Sequence, residues 1–532
     1  MAGPARGGHR QFLAWTLAAL AVGVGCGRTA ETRRLPNVLL ILADDLGYGD
    51  VGAYNSEAKV ATPHIDRLAR EGLRFSDAHS PSTVCTPTRY GLLTGRMPFR
   101  NGMAGVFVGV QGPSLIEAGR LTLPQMLREK GYRTAMVGKW HLGMTFYDAE
   151  GRPVHDLDLP ASTPQERASS EVERVRRADF SQAIPDGPLH RGFDEFFGTV
   201  ACPTTDWMYA WIEGDRVPIP PSELLDRAHL PKHPYSRDNR RGLVAEDYDL
   251  EQVDIEFLRR SVEFLERHAE DSPERPFFLF HSMQAVHLPS FPAPLFHGST
   301  AAGPHGDFLH EMDFIVGELT GTLERLGLAE DTLVLFTSDN GPEVLTVYHM
   351  RTDHGHDGAR PWRGVKRDQW EGGHRVPMIA KWPGFVPAGQ VTDQTFNLTD
   401  IMATLAGVTG YELPIDAAED SFDFSQVLTG TAGPAPVREF TLHQTNRLAL
   451  ALRQGKWKYL DHAGSGGNDY SRPELTGYVI DHGAPGAPAQ LYDLTVDPGE
   501  TNNLYYEQPD IAMRMKADLD RLVESGRSAP RN

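Results

Sequence analysis

Short apolar runs recur along the chain and are separated by segments with a helical pattern. The runs are NVLLILA (37–43), YRTAMVG (132–138), PFFLFH (276–281), TLVLFTS (332–338) and VPMIAKW (376–382). Runs this short and this rich in Val, Ile, Leu and Phe predict buried strands of a parallel sheet. Their alternation with helices predicts an α/β fold, in which a large, mostly parallel sheet is flanked by helices.

The helical patterns also contain start and stop signals. The three clearest are TPHIDRLAREG (62–72), LEQVDIEFLRRSVEFLERH (250–268) and DFLHEMDFIVGELTGTLERLG (307–327). In the first, Thr62 is the predicted N-cap, Pro63 occupies the first turn and Gly72 follows the last turn.

The pattern divides the chain into two predicted domains. Residues 36–434 are the α/β domain, and the polar, proline-punctuated segment 145–190 within it is predicted to be a surface insertion. Further on, LALALRQGKWKYLDH (448–462) predicts two strands around Gln454-Gly455, and a last helix is predicted near 507–525. Residues 435–532 are therefore predicted to form a smaller C-terminal α+β domain.

The first 26 residues have the pattern of an export signal. Arg6 and Arg10 precede the apolar stretch 12–25, which is short for a membrane span of roughly 20 residues. Gly25-Cys26 is similar to the end of a bacterial lipoprotein signal, although Gly23 stands where a larger aliphatic residue is usual. Lipidation of Cys26 and ordinary signal cleavage both stay open. We expect an exported protein that is periplasmic, anchored to the cell envelope by lipid, or secreted, with 27–35 as a linker.

Charge and cysteine content argue against two classes of protein, namely nucleic-acid-binding proteins and disulfide-stabilised scaffolds. The chain has 52 Lys and Arg against 71 Asp and Glu, a net charge of −19, and no long basic run. Such a chain is not expected to bind nucleic acid, because neutralising phosphates requires clustered cations. Only Cys26, Cys85 and Cys202 are present, so the fold does not depend on a disulfide framework.

Polar residues follow the predicted strands, at the sheet edge where α/β proteins bind ligands. Asp44 and Asp45 follow the first run, and Asp339 and Asn340 follow the fourth. Taken alone, Asp44-Asp45 would fit an N-cap turn. Together with Asp339-Asn340, they predict a site for Ca²⁺ or Mg²⁺, which prefer oxygen ligands.

Basic residues follow the other strands and suit an anion held against that metal. Lys139 and His141 come after the second run, and His281 and His287 come at or after the end of the third. Each histidine alone could be a hydrogen-bonded core residue, and Lys139 alone could be a solvated strand end. The histidine-rich segment 349–358 is predicted to be a flexible surface or rim loop rather than a metal site.

The segment that starts at Cys85 reads CTPTR and continues as YGLLTG to Gly95. It resembles the signature of the sulfatase family, in which a formylglycine-generating enzyme oxidises the cysteine to Cα-formylglycine. Further segments resemble sulfatase blocks in the family order: PNVLLILADDLGYGD (36–50), GKWHLG (138–143), GFDEFFG (192–198), TSDNGPE (337–343), EGGHRVP (371–377) and LYDLTVDPGETNNL (491–504). The resemblance extends from Pro36 to Leu504 and implies an alkaline phosphatase/sulfatase-like fold and a sulfuric ester hydrolase of the arylsulfatase type.

The resemblance also implies roles for individual residues. The implied ligands of one divalent cation, usually Ca²⁺ rather than Mg²⁺ in this family, are Asp44, Asp45, Asp339 and Asn340. The implied catalytic residues are Cys85, Arg89, Lys139, His141, His287, Asp339 and Lys366, and of these Lys139, His287 and Lys366 also bind the sulfate group. Lys366 alone would fit a surface lysine in KRDQWE, but it precedes the EGG block at the family's spacing.

The implied mechanism uses the hydrate of formylglycine at position 85. One hydroxyl, steadied by Arg89 and deprotonated by Asp339, attacks sulfur, while His287 protonates the departing oxygen with Lys366 near it. His141 then takes the proton of the second hydroxyl, and sulfate leaves as the aldehyde re-forms.

Two other functions stay open at this stage. One is a phosphate or phosphonate ester hydrolase of the same superfamily, and the other is a catalytically silent, anchored binding protein that keeps Cys85 as a thiol. The identity of the alcohol that carries the sulfate group is equally open, because sulfated glycans, steroids and aryl sulfates are all compatible with the sulfate end of the site. We expect loops in 145–190, 200–247 and 344–362 to select it. The net charge disfavours long polysulfated chains unless a local basic groove exists.

Overall fold

The computed structural model of the protein describes Met1, Gly3 and residues 34–530; the predicted export signal and Cys26 lie outside these residues. The strands, in chain order, are β1 Asn37–Ala43, β2 Leu73–Phe75, β3 Ala78–His79, β4 Arg133–Lys139, β5 Glu195–Thr199, β6 Met208–Tyr209, β7 Ile212–Glu213, β8 Glu223–Leu224, β9 Leu243–Val244, β10 Phe277–Ser282, β11 Thr332–Ser338, β12 Met378–Lys381, β13 Gln390–Thr392, β14 Phe396–Asn397, β15 Phe440–Gln444, β16 Leu450–Gln454, β17 Trp457–Leu460 and β18 Gln490–Asp493.

Helices surround and connect these strands. They are α1 Pro63–Glu71, α2 Cys85–Thr94, α3 Leu123–Glu129, α4 Pro164–Arg177, α5 Val253–Asp271, α6 Gly303–Arg325, α7 Val344–His354, α8 Glu371–His374, α9 Asp400–Thr409, α10 Ser425–Leu428 and α11 Pro509–Glu524. Within residues 34–530, none of the helices combines the length and the apolar composition that a membrane crossing needs. Helix α4 lies in the 145–190 segment, where Val154 and Val175 are buried.

The central sheet has nine strands in the order β13-β2-β12-β11-β1-β10-β4-β5-β7. The five strands from β11 to β5 run parallel to one another, which confirms the predicted mostly parallel, helix-flanked sheet. The prediction of a parallel strand over 376–382 is wrong, because β12 pairs antiparallel with β11 and with β2. An apolar run records burial on both faces but carries no information on strand direction.

The ends of the central strands bring the predicted site residues to one edge of the sheet. β1 pairs with β11 through Ala43 and Ser338, so Asp44 and Asp339 leave their strands at the same level. Lys139 is the last residue of β4, which is separated from β1 only by β10. The edge predicted from the order of apolar runs is therefore the edge at which these side chains meet.

The segment 349–358 differs from its prediction as a loop. Helix α7 extends through His354, and Gly355 ends it in the left-handed conformation (φ 63°) that glycine adopts without strain. His356 is buried, and its Nε2 lies 2.7 Å from Asp50 Oδ1. The sequence suggested a loop because histidine, aspartate and glycine are frequent there, whereas the buried face of α7 was not recognised.

The C-terminal residues form a second, smaller sheet of four antiparallel strands, β15-β16-β17-β18. Helix α11 packs on it through Met515 and Leu519, which share an apolar cluster with Leu452 and Leu491. The predicted strand pair around Gln454-Gly455 and the predicted last helix are both present.

This second sheet is joined directly to the segment that precedes Cys85. Gln444, at the end of β15, forms an isolated parallel bridge with Ser82. The Thr83 amide donates a hydrogen bond of 3.0 Å to the Gln444 carbonyl, and Gln444 Nε2 donates one of 2.8 Å to the Met103 carbonyl. The C-terminal sheet therefore holds the backbone before α2, at Thr83, and after α2, at Met103.

A buried ionic layer, which the sequence did not reveal, lies between the two sheets. Lys458 Nζ on β17 is 3.1 Å from Glu371 Oε1 and 2.9 Å from Glu500 Oε1, and all three side chains are fully buried. Lys458 Nζ also lies 3.1 Å from His374 Nε2, and His374 Nδ1 lies 3.1 Å from His79 Nδ1. The layer is thus internally paired.

Replacing Lys458 by methionine is expected to lower the free energy of unfolding by about 3–5 kcal/mol, since two carboxylates would stay buried without their cation. Urea denaturation measures the loss. Lys456→Met is the matched control, because Lys456 pairs with Asp493 while its side chain is 48% exposed. It should change stability by less than about 1 kcal/mol. Equal effects of the two replacements would contradict a structural role for the buried layer.

Candidate active site

Cys85 is the first residue of α2 and is only 1% exposed. Val84 before it is extended (φ −148°, ψ 157°), so the backbone turns into the helix at the cysteine itself. A helix N-terminus favours negative charge, because its first amide groups have no partner within the helix. Cys85 also lines a cleft together with His141 and His287.

Three carboxylates converge beside this position. Carboxylate oxygens of Asp44, Asp45 and Asp339 lie within 4.8 Å of one another, and an Asp44 oxygen lies equally near Cys85 Sγ. Asp44 Oδ1 and Asn340 Oδ1 are buried and have no hydrogen-bond partner among the described residues. Buried oxygen atoms without partners are unfavourable, whereas such hard donors are the ligands that Ca²⁺ and Mg²⁺ bind. This donor set therefore fits a divalent cation.

Each carboxylate of the cluster is also paired with a buried cation. Lys139 pairs with Asp44, Lys366 Nζ lies 2.6 Å from Asp45 Oδ1, and Arg89 Nη2 lies 2.8 Å from Asp339 Oδ2. The three positive side chains balance the three negative ones. A divalent cation added to this set would leave an excess of two positive charges, which is the condition for holding an anion beside Cys85.

The crowding of these carboxylates shifts their pKa values. Burial raises the pKa of Asp339 to about 7, with a contribution from Asp44 that Arg89 opposes. Burial likewise raises the pKa of Asp45 to about 6, against the effect of Lys366. Protons and a cation thus compete for the same oxygens, and cation binding is expected to weaken as the pH falls.

His141 is held in one orientation by its backbone and by a carbonyl group. It adopts φ 61°, a left-handed conformation that is uncommon for a residue other than glycine. Its Nε2 lies 2.6 Å from the Phe107 carbonyl, which can only accept, so Nε2 carries the proton. Nδ1 has no conventional partner among the described residues, and the ring interacts with the Cys85 side chain. Burial and Lys139 lower the pKa of His141 to about 4.

His287 is oriented in a comparable way on the other side of the cleft. Its Nδ1–H donates to the Leu288 carbonyl, and its Nε2 lies 3.8 Å from Asp45 Oδ2. Burial and the positive charge of Lys366 lower the pKa of His287 to about 4. His281, by contrast, lies 2.8 Å from Ser261 Oγ on α5. It is a buried, hydrogen-bonded core residue, which is the alternative given above for a single histidine.

The cleft beyond this cluster has a volume of about 520 Å³, within the usual range for small-ligand sites. Its lining residues are Val84, Cys85, Gly105, Val106, Val108, His141, Cys202, Thr205, Asp238, Asn239, Arg240, His287, Glu343, Lys366, Arg367 and Asn446. No phenylalanine, tyrosine or tryptophan is among these described residues, and none of them comes from 145–190. We call this volume the inner cleft.

A sulfatase family model matches residues 36–411 of the chain. The chain belongs to the sulfatase family. Over 96% of its length it is 31% identical to an N-acetylgalactosamine-6-O-sulfatase of Bacteroides thetaiotaomicron, of which it covers 97%. It is 34% identical to human arylsulfatase A (96% and 92% covered) and 31% identical to mouse steryl-sulfatase (97% and 85% covered). It is thus a sulfuric ester hydrolase.

Solved structures agree with this assignment. A Bacteroides thetaiotaomicron structure described in connection with glycosaminoglycan metabolism superimposes with a TM-score of 0.75 at 28% identity, covering 92% of this chain and all of that one. A sulfatase from Pseudoalteromonas sp. superimposes with a TM-score of 0.65 at 26% identity, covering 93% and 92%. The fold is the alkaline phosphatase-like fold of sulfatases, with a smaller C-terminal sheet, as the resemblance implied.

The sulfatase motifs predicted the charged residues of the cluster, but they did not predict the backbone group that orients His141. The Phe107 carbonyl orients His141, and Phe107 is in turn held by a 3.0 Å bond from its amide to Thr86 Oγ1. Cys202, which the sequence analysis interprets as a small buried or pocket-wall residue without a catalytic role, does line the cleft, and its Sγ lies 3.9 Å from His141 Nε2. A backbone carbonyl has no signature in the sequence, and an isolated cysteine has a weak one.

Proposed function

We propose that this sulfatase hydrolyses sulfate monoesters of sugars, with formylglycine formed from Cys85 and with Ca²⁺ bound by Asp44, Asp45, Asp339 and Asn340. The observation that carries the proposal is the inner cleft, which joins a charged cluster suited to sulfate to a polar wall suited to hydroxyl groups. The formylglycine hydrate would supply an oxygen nucleophile, and the cation would supply positive charge beside it.

The cationic side chains of the site would bind and orient the sulfate group. Lys139 and Lys366 are buried beside Asp44 and Asp45, and each ammonium group has donors beyond those used by its carboxylate partner. Arg89 is fixed by Asp339, by the Lys139 carbonyl and by Ser282 Oγ, so its position does not depend on substrate. Such preorganised charge lowers the barrier because it needs no rearrangement during the reaction.

Three groups would move protons. Asp339, whose pKa is raised by burial to about 7, would accept the proton of the attacking hydroxyl. His287 would pass a proton from Nε2 to the departing oxygen in its doubly protonated form, because Nδ1–H is already committed to the Leu288 carbonyl. The lowered pKa makes this form a strong acid, and the negative charge of a bound sulfate ester would favour its formation. His141 would accept the proton of the second hydroxyl at Nδ1, since Nε2 is committed to Phe107.

The choice of a sugar as the alcohol rests on the cleft wall. The relatives include named sulfatases of a sugar and of a steroid at the same 31% identity, so identity does not select between these alcohols. A steroid or phenol would require flat apolar walls. The inner cleft has Val84, Val106 and Val108 but no phenylalanine, tyrosine or tryptophan among its described lining, and Asp238, Asn239, Arg240 and Arg367 add charged and amide groups. Fixed donors and acceptors of this kind match the hydroxyl groups of a sugar.

A comparison of 4-nitrophenyl sulfate with 4-nitrophenyl phosphate tests the reaction class with the same leaving group. We expect kcat/KM for the sulfate to exceed that for the phosphate by about 100-fold or more. The physical reason is that a sulfate ester carries one negative charge and leaves part of the excess positive charge to stabilise the charge that develops in the transition state. A dianionic phosphate ester uses the whole excess in the ground state. A faster phosphate ester would identify a phosphate hydrolase, and no hydrolysis of either ester would favour the silent binding protein.

Maturation and location are part of the same proposal. A formylglycine-generating enzyme would act on the CTPTR segment, and the acidic chain would be exported by its N-terminal signal, to the periplasm or to a lipid anchor at Cys26. Mass spectrometry of the purified N-terminus distinguishes a lipidated Cys26 from an ordinary cleavage product.

A further inference from the structure

A second cavity adjoins the inner cleft and leads away from Cys85. It has a volume of about 490 Å³ and shares four wall residues with the inner cleft, namely Asp238, Glu343, Arg367 and Asn446. We call it the outer cleft. Its remaining wall comes from the start of α7 and from residues 447–475 of the C-terminal region. The two clefts therefore border each other at these four residues, and a ligand that extends from the inner cleft across them would reach the outer one.

The wall between the two clefts is held in place by charge pairs. Arg367 pairs with Glu343, and its Nε donates a 3.1 Å hydrogen bond to Asn468 Oδ1. Glu343 Oε2 lies 4.0 Å from Lys366 Nζ, which links this wall to the sulfate end of the site. Arg367 adopts φ 77°, and such left-handed geometry persists only where the surroundings enforce it. The donors at this wall are thus fixed before a ligand binds.

Two polar groups at the outer cleft make no hydrogen bond within residues 34–530. Asn446 Oδ1 is buried without a hydrogen bond, on the wall common to both clefts. Arg447, the next residue in the chain, is exposed, and its positive charge interacts with Asp469 on the same wall. Within residues 34–530, its guanidinium makes no side-chain hydrogen bond. The partly exposed amide of Asn446 and the exposed guanidinium of Arg447 line the same cleft, and both can donate hydrogen bonds to the hydroxyl groups of a sugar.

The charges of the outer cleft also limit its ligand. The acidic wall residues are Asp238, Glu343, Asp469 and Glu474, and the basic ones are Arg367, Arg447 and Arg472. Because the positive and negative charges nearly balance, this wall attracts a polyanion only weakly. An apolar ligand would remove water from the polar groups without offering them hydrogen bonds in return. An uncharged, polyhydroxylated ligand fits best.

We propose that the outer cleft binds the sugar unit next to the sulfated one, with Asn446 and Arg447 as its contacts, so that the preferred substrate is an oligosaccharide. This inference rests on the proposed sugar-sulfatase function. It assigns part of the specificity to the C-terminal region, and it predicts that activity rises when an uncharged sugar is added to the sulfated one.

The test compares kcat/KM for N-acetylgalactosamine 6-sulfate with that for disaccharides in which an uncharged sugar is joined to either side of this unit. 4-Nitrophenyl sulfate is the reference ester. We expect one disaccharide to exceed the monosaccharide by about tenfold, which corresponds to 1.4 kcal/mol of transition-state binding. In Arg447→Ala and Asn446→Ala, the ratio of the disaccharide to the reference ester should fall at least fivefold. Arg70→Ala, at an exposed position of α1 outside both clefts, should keep the wild-type ratio.

A wild-type enzyme without this preference, or variants that retain it, would overturn the proposal while hydrolysis of sulfated sugars continued. Failure of the proposed function has a different signature, because the reference ester would then be hydrolysed and no sulfated sugar would be. In that case titration calorimetry with the unsulfated disaccharides decides the question. Binding heat that is lost in Arg447→Ala would support the outer cleft as a sugar site, and the absence of heat would overturn it.

Discussion

Replacement of Cys85 by serine is expected to lower kcat for 4-nitrophenyl sulfate by about 10³-fold or more, in a host whose converting enzyme acts on cysteine. A serine hydroxyl at the start of α2 would lie beside the same carboxylates and lysines. It has no second hydroxyl, however, so a sulfated serine could not expel sulfate by re-forming a carbonyl group. Steady-state rates measure the loss of turnover, and peptide mass spectra across position 85 show whether sulfate stays attached to the serine.

The matched control for this variant is the unaltered chain produced in a host without the converting enzyme. It should carry a thiol at position 85 and be as inactive as Cys85→Ser, with an unchanged melting temperature, because only a buried side-chain atom differs. Full turnover by Cys85→Ser, or by a chain whose Cys85 is shown to be unconverted, would contradict the formylglycine mechanism. Such a result would require a nucleophile other than the formylglycine hydrate.

Removal of the divalent cation is expected to reduce both activity and stability. Chelation should lower kcat/KM by about 100-fold or more, since the charge excess that holds the sulfate group would be lost. A cation present at 1,000 times its Kd contributes about 4 kcal/mol to the free energy of unfolding. The melting temperature in EGTA and in excess Ca²⁺ therefore measures occupancy without any catalysis.

The cation experiment has its own controls. Asp45→Asn keeps the size of the side chain but removes one charged ligand, so its melting temperature should respond much less to Ca²⁺. Mg²⁺ should restore less activity than Ca²⁺, because Mg²⁺ demands a smaller and more regular set of oxygens. A metal-free protein, verified by elemental analysis, that kept its activity and its melting temperature would show that the carboxylates serve another purpose.

Much of the fold was predictable, because the residues of a segment themselves indicate whether the segment is buried and how long its strand is. β1 and β11 have the bounds of their apolar runs, and the polar residues after them meet as expected from a parallel sheet. The direction of β12 was not predictable, since it depends on which strands it pairs with rather than on its own residues. The buried face of α7 was hidden by the turn-like composition around it.

The site was predictable where a motif marks it and unpredictable where contacts are distant in sequence. Lys366 was identified only because the EGG block frames it, and it does meet Asp45. Asn446 lies 361 residues beyond Cys85, and no local pattern indicates that both line one cleft. Of the loops expected to select the alcohol, 200–247 lines the inner cleft through Cys202, Thr205 and residues 238–240, whereas no described lining residue comes from 145–190 or 344–362. The contribution of Asn446 was not expected.

The bridge between Gln444 and Ser82 bears on how such enzymes could be recombined. An exchange of C-terminal regions between two sulfatases would alter the wall that contains Asn446 and would also replace the partner of the backbone before Cys85. The substrate preference of the chimaera and the position of its nucleophile would then both depend on the exchanged region. A functional chimaera should therefore require that the 81–83 segment be transplanted with its matching β15, as one cassette.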